Sequence, residues 1–206
     1  MLEEEYLKEI DTTNYKMVTI SGSRLPHHNI EYPLNHKNLG AEKPFELVIL
    51  QGGSGEANTV DERNDFSLEA KAMIKKIHEA GAEAALYMIH AYVKPHENTD
   101  PEMIKNIKKM YIDAANQNSV LVMPIGIAFE NAYEKNPDIV LHKEYDGSHP
   151  SLLGTYLAAC VVFSSITHKS PLQIQYDYFG KIAEDDKKFL QKVAKNTVED
   201  FYKIKL

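Results

Sequence analysis

Asp146 stands three residues before His149 in the turn Tyr145-Asp146-Gly147-Ser148-His149-Pro150. A carboxylate at that spacing can accept a hydrogen bond from the imidazole, select its tautomer and stabilise its charged form. That is two-thirds of a hydrolytic triad, with the histidine as general base. A D-G-S-H turn is also ordinary surface chemistry, so its meaning depends on what else the chain brings to it. The apolar run behind it, Ser151 to Cys160, reads as a helix with Pro150 in its first turn, where a missing N–H costs nothing. The pair is therefore expected on a loop held by a buried helix, where catalytic groups tend to sit.

Two further polar pieces follow apolar runs. Ser21-Gly22-Ser23 comes after Met17-Val18-Thr19-Ile20, and Gln51-Gly52-Gly53-Ser54 after Glu46-Leu47-Val48-Ile49-Leu50. The second could cradle a phosphate, but it lacks both G-x-G-x-x-G and the Walker lysine, and no acidic residue ends the next strand to hold a ribose. His27-His28 with His36, and His90 with His96, could suggest a metal. Adjacent histidines rarely converge on one ion, and no carboxylate or cysteine falls at a usual ligand spacing, so these read as solvated loop residues. No metal and no cofactor is expected. Cys160, the sole cysteine, precedes Val161 and Val162 and reads as a core residue.

The elements that must position these pieces alternate. Leu2, Tyr6, Leu7 and Ile10 share a helical face; Met17 to Ile20 reads as a short strand, and Pro26 to Gly40 as a loop without periodicity. Leu47 to Leu50 is a continuous apolar strand of the kind buried on both faces in parallel sheets. Phe66, Ala70, Met73, Ile74 and Ile77 form a helical stripe that Gly81 ends. Ala84 to Ile89 is the next strand. Asp100-Pro101 opens a helix carrying Met103, Ile104, Ile107, Tyr111 and Ala114, with Asp100 as N-cap. Val120 to Gly126 reads as a strand, Ala128 to Tyr133 as a short helix, and Lys181 to Leu206 as a terminal helix burying Phe189, Leu190, Val193 and Ala194. Strands alternating with helices predict an α/β fold, a three-layer α/β/α sandwich with a mainly parallel sheet. In such sheets ligands bind beyond the carboxyl ends of the strands, which is where all three polar pieces fall.

The 206 residues suit one domain, with its core over about residues 15–171 and a helical extension over about 181–206. A net charge of −7 argues against nucleic acid or an acidic membrane as partner. No run reaches the length of a membrane span. The acidic, amphipathic N-terminus is no signal peptide, so the chain as it stands reads as cytoplasmic; export would require a leader lost with a missing start.

In combination the three strand-end pieces resemble the SGNH (GDSL-like) hydrolases, nearest to a largely uncharacterised bacterial branch. The matching stretches are Ile20-Ser21-Gly22-Ser23-Arg24-Leu25, Leu50 to Glu56, and Asp146 to Cys160, the last being the most specific. The resemblance implies a flavodoxin-like hydrolase fold and removal of small acyl groups from an ester substrate, carbohydrate included. It implies His149 as base, Asp146 as its orienting partner, and Gly22, Gln51 and Gly52 as oxyanion or substrate contacts. Glutamine at position 51 matches the sialate-esterase-like relatives.

One departure from the family pattern is plain. The nucleophilic Gly-Asp-Ser or Gly-Asn-Ser block is not found. Ser23 is the nearest candidate, but a parallel crossover of a dozen or more residues should separate it from Leu47, and the Pro- and His-rich segment between them carries no helical stripe. Gly22 as the second block fits better, which makes Met1–Ile10 the tail of a helix and leaves the first strand, with its serine, missing. Such a chain would expose a sheet edge, inviting association into a homo-oligomer. The alternatives are a non-catalytic ligand-binding relative and a phosphate- or nucleotide-binding α/β protein.

Overall fold

Leu47–Leu50 (β1), Glu83–Tyr87 (β2) and Leu121–Met123 (β3) are the three apolar runs that pair. The computed structural model describes residues 15–206, so the helix expected over Met1–Ile10 lies outside the described residues. The strands form a parallel sheet in the order β1-β2-β3, with Val48 opposite Ala84 and Ala85 opposite Leu121. Parallel neighbours need long crossovers, and helices supply both of them. Val60–Glu79 (α1) joins β1 to β2, and Met103–Asn118 (α2) joins β2 to β3.

Strand side chains alternate between two cores. Ala84 and Leu86 face a cluster built with Phe66, Ile74 and Ile77 of α1 and Ile107 and Tyr111 of α2. Ala85 faces a second cluster, with Phe129 of α3 (Ile125–Lys135), Leu157 and Val161 of α4 (Leu152–Thr167), and Leu190 and Val193 of α5 (Glu184–Tyr202). The layers are therefore helix, sheet, helix, as the alternation of elements predicts. The five residues of the α1 stripe are its five buried residues, and Cys160 is buried in α4.

Five local readings are corrected. Met17 to Ile20 forms no strand: the segment is exposed and joins no β-ladder among the described residues, and Tyr15 and Met17 are more than three-quarters exposed. A β-branched run becomes a strand only where a neighbour completes its hydrogen bonds, and β1, the edge of the sheet on that side, does not. The segment Pro26 to Gly40, expected as loop, instead holds most of three single helical turns, Leu25–His27, Glu31–Leu34 and His36–Leu39. Buried Leu25 and Ile30 anchor them.

The third apolar run stops at Met123, because Pro124 ends it and Ile125-Gly126 already belong to α3. Gly126 packs on β2's exit so closely that a Cβ would lie 2.2 Å from the Ile89 carbonyl oxygen. Pro150 lies outside helix α4. Ser151 is the N-cap, its Oγ accepting from Gly154 N–H, while Pro150 bridges antiparallel to His142. The same half-turn shift occurs at α2, where Asp100 Oδ1 accepts from Glu102 N–H and the helix begins at Met103.

Candidate active site

The turn Lys143–Pro150 closes on itself through backbone bonds. Lys143 N–H donates to His149 O at 2.7 Å, and Asp146 and Gly147 N–H both donate to Lys143 O. Gly147 has φ 62°, and a Cβ there would lie 2.0 Å from Val93 O, so the position demands glycine for both reasons. Val93 N–H in turn donates to Gly147 O at 2.9 Å, which fastens the turn to the segment leaving β2.

Within the turn, Asp146 holds three donors. Its Oδ1 accepts from the N–H groups of Ser148 and His149 at 2.8 and 2.9 Å, and its Oδ2 lies 2.8 Å from His149 Nδ1. Partial desolvation raises the Asp146 pKa, but the two backbone donors and the His149 ring outweigh it and hold the carboxyl down at about 2. An ionised carboxylate only accepts, so His149 Nδ1 carries a proton, and in the neutral ring the lone pair lies on Nε2. The His149 side chain is 75% exposed against 21% for Asp146, leaving Nε2 open to an incoming group. A half-buried carboxylate orienting an accessible imidazole is a geometry suited to a general base.

Beneath the turn lies a polar cluster that sequence reading missed. His142 is buried, with Nε2 3.0 Å from Ala91 O and Nδ1 2.6 Å from the Tyr133 hydroxyl. Its ring stacks on His90 at 4.7 Å and meets Phe129 edge-on. His90 was expected in a solvated loop with His96. Instead it is packed against Phe129 and His142, and its Nε2 has no hydrogen-bond partner among the described residues. Burial, followed by the neighbouring His142, lowers the His90 pKa to about 3. Burial also depresses His142, opposed by the Ala91 carbonyl and Asp146. The signal available in the sequence was His142 itself, a lone polar ring closing the apolar run Ile139-Val140-Leu141 just before the Asp146 turn.

The other sequence candidates lie on two loops that touch each other. Gly22, at φ 67°, sits in an exposed turn closed by Ser23 N–H to Ile20 O. A Cβ on Gly53 would lie 3.2 Å from Ser23 O, so this turn abuts the loop after β1. Arg24 fixes it further through a 2.6 Å ion pair with Glu62 of α1. Gln51 is exposed. Gly52, expected as an oxyanion or substrate contact, is corrected: it is buried, and its N–H donates to the Tyr111 hydroxyl at 3.2 Å, because Phe66 and Glu56 close the space above it. Gly53 N–H is likewise taken, by the buried Glu56 carboxylate. Burial raises the Glu56 pKa, with Gly53 N–H and Arg24 pulling the other way.

Ser23 makes no hydrogen bond to His149. Its Oγ lies 2.8 Å from His28 Nε2, and among the described residues no hydroxyl is hydrogen-bonded to His149. Nor do any three histidine, cysteine, aspartate or glutamate side chains group as metal ligands among those residues. No helix there is long and apolar enough to cross a membrane.

No family model and no curated protein matches the chain. Solved structures do. A DUF4886 family protein from Bacteroides uniformis aligns with a TM-score of 0.72 at 21% identity, covering 91% of this chain and 83% of its own. A protein assigned to the SGNH hydrolases from Slackia heliotrinireducens aligns at 0.57 and 19% identity, over 70% of this chain and 80% of its own. An acetyl xylan esterase aligns at 0.57 and 17% identity, over 80% and 88%. The fold of this chain is thus that of SGNH and GDSL-like hydrolases and esterases.

Proposed function

We propose that this chain is an SGNH-type hydrolase of small acyl esters, with His149 as general base and Asp146 as its orienting partner. The observation that carries this reading is the 2.8 Å Nδ1–Oδ2 bond with Nε2 left open, on a turn that precedes α4 and is fastened to the exit of β2. In the reaction a hydroxyl oxygen attacks the ester carbonyl carbon while its proton passes to His149 Nε2. The carbonyl oxygen becomes an oxyanion, which collapses as the C–O bond to the leaving alcohol breaks, and the imidazolium returns the proton to that alkoxide. Gly22 N–H and the Gln51 amide are the proposed oxyanion donors; losing one such donor raises the barrier by about 2.7–4 kcal/mol. Removal of acetyl groups from carbohydrate is adopted as the substrate class by analogy with esterases of the same fold.

The attacking hydroxyl is that of Ser23 only if it leaves His28. In that case water, deprotonated by the same imidazole, then attacks the acyl ester of Ser23 and releases the acid as the proton returns to Ser23 Oγ; otherwise His149 acts directly on water. Hydrolysis of p-nitrophenyl acetate by the chain and by S23A, H149A and D146N tests the assignment. Turnover lost in H149A and D146N supports the base and its partner, and its retention in S23A assigns the attack to water. A fully active H149A would end the proposal. The Ser23–His28 bond favours a second reading, a ligand-binding relative without covalent catalysis. That reading expects no turnover, yet calorimetric binding of an acetylated oligosaccharide that is weakened in Q51A.

A further inference from the structure

We infer that His142, held between Tyr133 and Ala91, is a positioning residue that sets the Asp146–His149 turn against the ends of the strands. The inference rests on the reading of that turn as the proton-transfer site.

His142 is the point at which the chain enters the turn and Pro150 the point at which it leaves, and the two are bridged. The backbone bonds that close the turn converge on Lys143, the next residue. The ring of His142 reaches the opposite way, to two elements distant in sequence. Ala91 follows β2, 51 residues earlier, and Tyr133 stands on α3. A carbonyl oxygen only accepts, so Nε2–H donates to Ala91 and Nδ1 accepts from the Tyr133 hydroxyl. One neutral ring therefore satisfies two polar groups on two elements, and its plane is fixed by stacking on His90 at 4.7 Å and 15°.

A ring that merely filled space would not need this. Phenylalanine would occupy much the same volume, but it would bury Ala91 O without a donor and leave the Tyr133 hydroxyl without an acceptor. Partly satisfied buried networks are costly, and fully satisfied ones specify a single arrangement. The arrangement specified here places Ala91, and Val93 two residues on, beside the turn that Val93 N–H grips through Gly147 O.

The test uses the full chain and needs no substrate. Amide hydrogen exchange is followed for the turn (Lys143, Asp146, Gly147, Ser148, His149 and Val93) against the strand amides of Ala85 and Leu86, and the Asp146 carboxyl is titrated by carbon NMR. In H142F the turn amides should exchange roughly tenfold faster or more while the strands stay protected, the loss of two hydrogen bonds acting locally. The Asp146 midpoint should rise from about 2 toward the ordinary aspartate range. H142Q, whose amide can both donate to Ala91 O and accept from Tyr133, should restore both readouts. If H142F does not fold, Y133F removes one bond with the ring stack intact and should give a smaller change in the same direction.

Equal acceleration of turn and strands, or an unmoved Asp146 midpoint, would overturn the inference and leave His142 a core filler. A turn that loosens selectively in a chain that hydrolyses no ester upholds the positioning role while removing the proposed activity. An active chain whose turn is indifferent to H142F removes the positioning role alone.

Discussion

The sharpest perturbation is Asp146→Asn, because the structure dictates which way the new amide must point. Asp146 Oδ1 accepts from two backbone N–H groups, those of Ser148 and His149, at 2.8 and 2.9 Å. An NH₂ group in that place would face two donors, so the asparagine oxygen must occupy it. The NH₂ then takes the Oδ2 position, 2.8 Å from His149 Nδ1. Two donors cannot share that contact, so Nδ1 must give up its proton and accept, and Nε2 takes the proton instead. The proposed general base becomes a donor with the turn geometry unchanged. Catalysis by a positioned base is worth on the order of 10²–10⁴-fold, and a forced wrong tautomer removes most of it. We expect kcat for p-nitrophenyl acetate to fall by about 10²–10⁴ with KM little changed, while ¹⁵N shifts of the His149 ring report the switch to the Nε2–H tautomer. Asp146→Asn with undiminished kcat, or with Nδ1 still protonated, would refute the reasoning.

Further tests address what holds the site. Gly147→Ala places a Cβ 2.0 Å from Val93 O at a left-handed φ, and thermal melts should show a loss of about 1–3 kcal/mol or more. Tyr111→Phe strips the acceptor from buried Gly52 N–H and should cost about 1–3 kcal/mol in denaturant unfolding. The pH profile should carry the mark of His90. Its folded pKa, about 3, lies below the ordinary value of 6.5, so the unfolded chain binds the extra proton first. That contribution is complete above about pH 6.5 and is lost as pH falls toward 3, on the order of a few kcal/mol. His90→Phe, which removes a buried nitrogen with no hydrogen-bond partner among the described residues, should flatten the acid limb of a stability-versus-pH series over that window.

What could be read from the chain alone was local. The stripe Phe66-Ala70-Met73-Ile74-Ile77 betrays α1 because one face of a 3.6-residue period must be apolar, and the same five residues are buried. The runs at 47, 84 and 120 announce parallel strands because a strand covered on both faces cannot alternate. The Asp146–His149 contact was legible because three residues of turn bring the two side chains together whatever surrounds them. Tertiary structure decided everything that needed a distant partner. Met17 to Ile20 has the composition of a strand, yet strand formation requires a neighbour's hydrogen bonds, and none is offered among the described residues. Ser23 found His28 five residues away, and Gly52 turned its N–H to Tyr111, 59 residues on. His142 reached Ala91 across 51 residues and stacked on His90, giving a histidine pair that no spacing in the sequence could announce. Periodicity reports which face of an element is buried; only the packed chain reports against what.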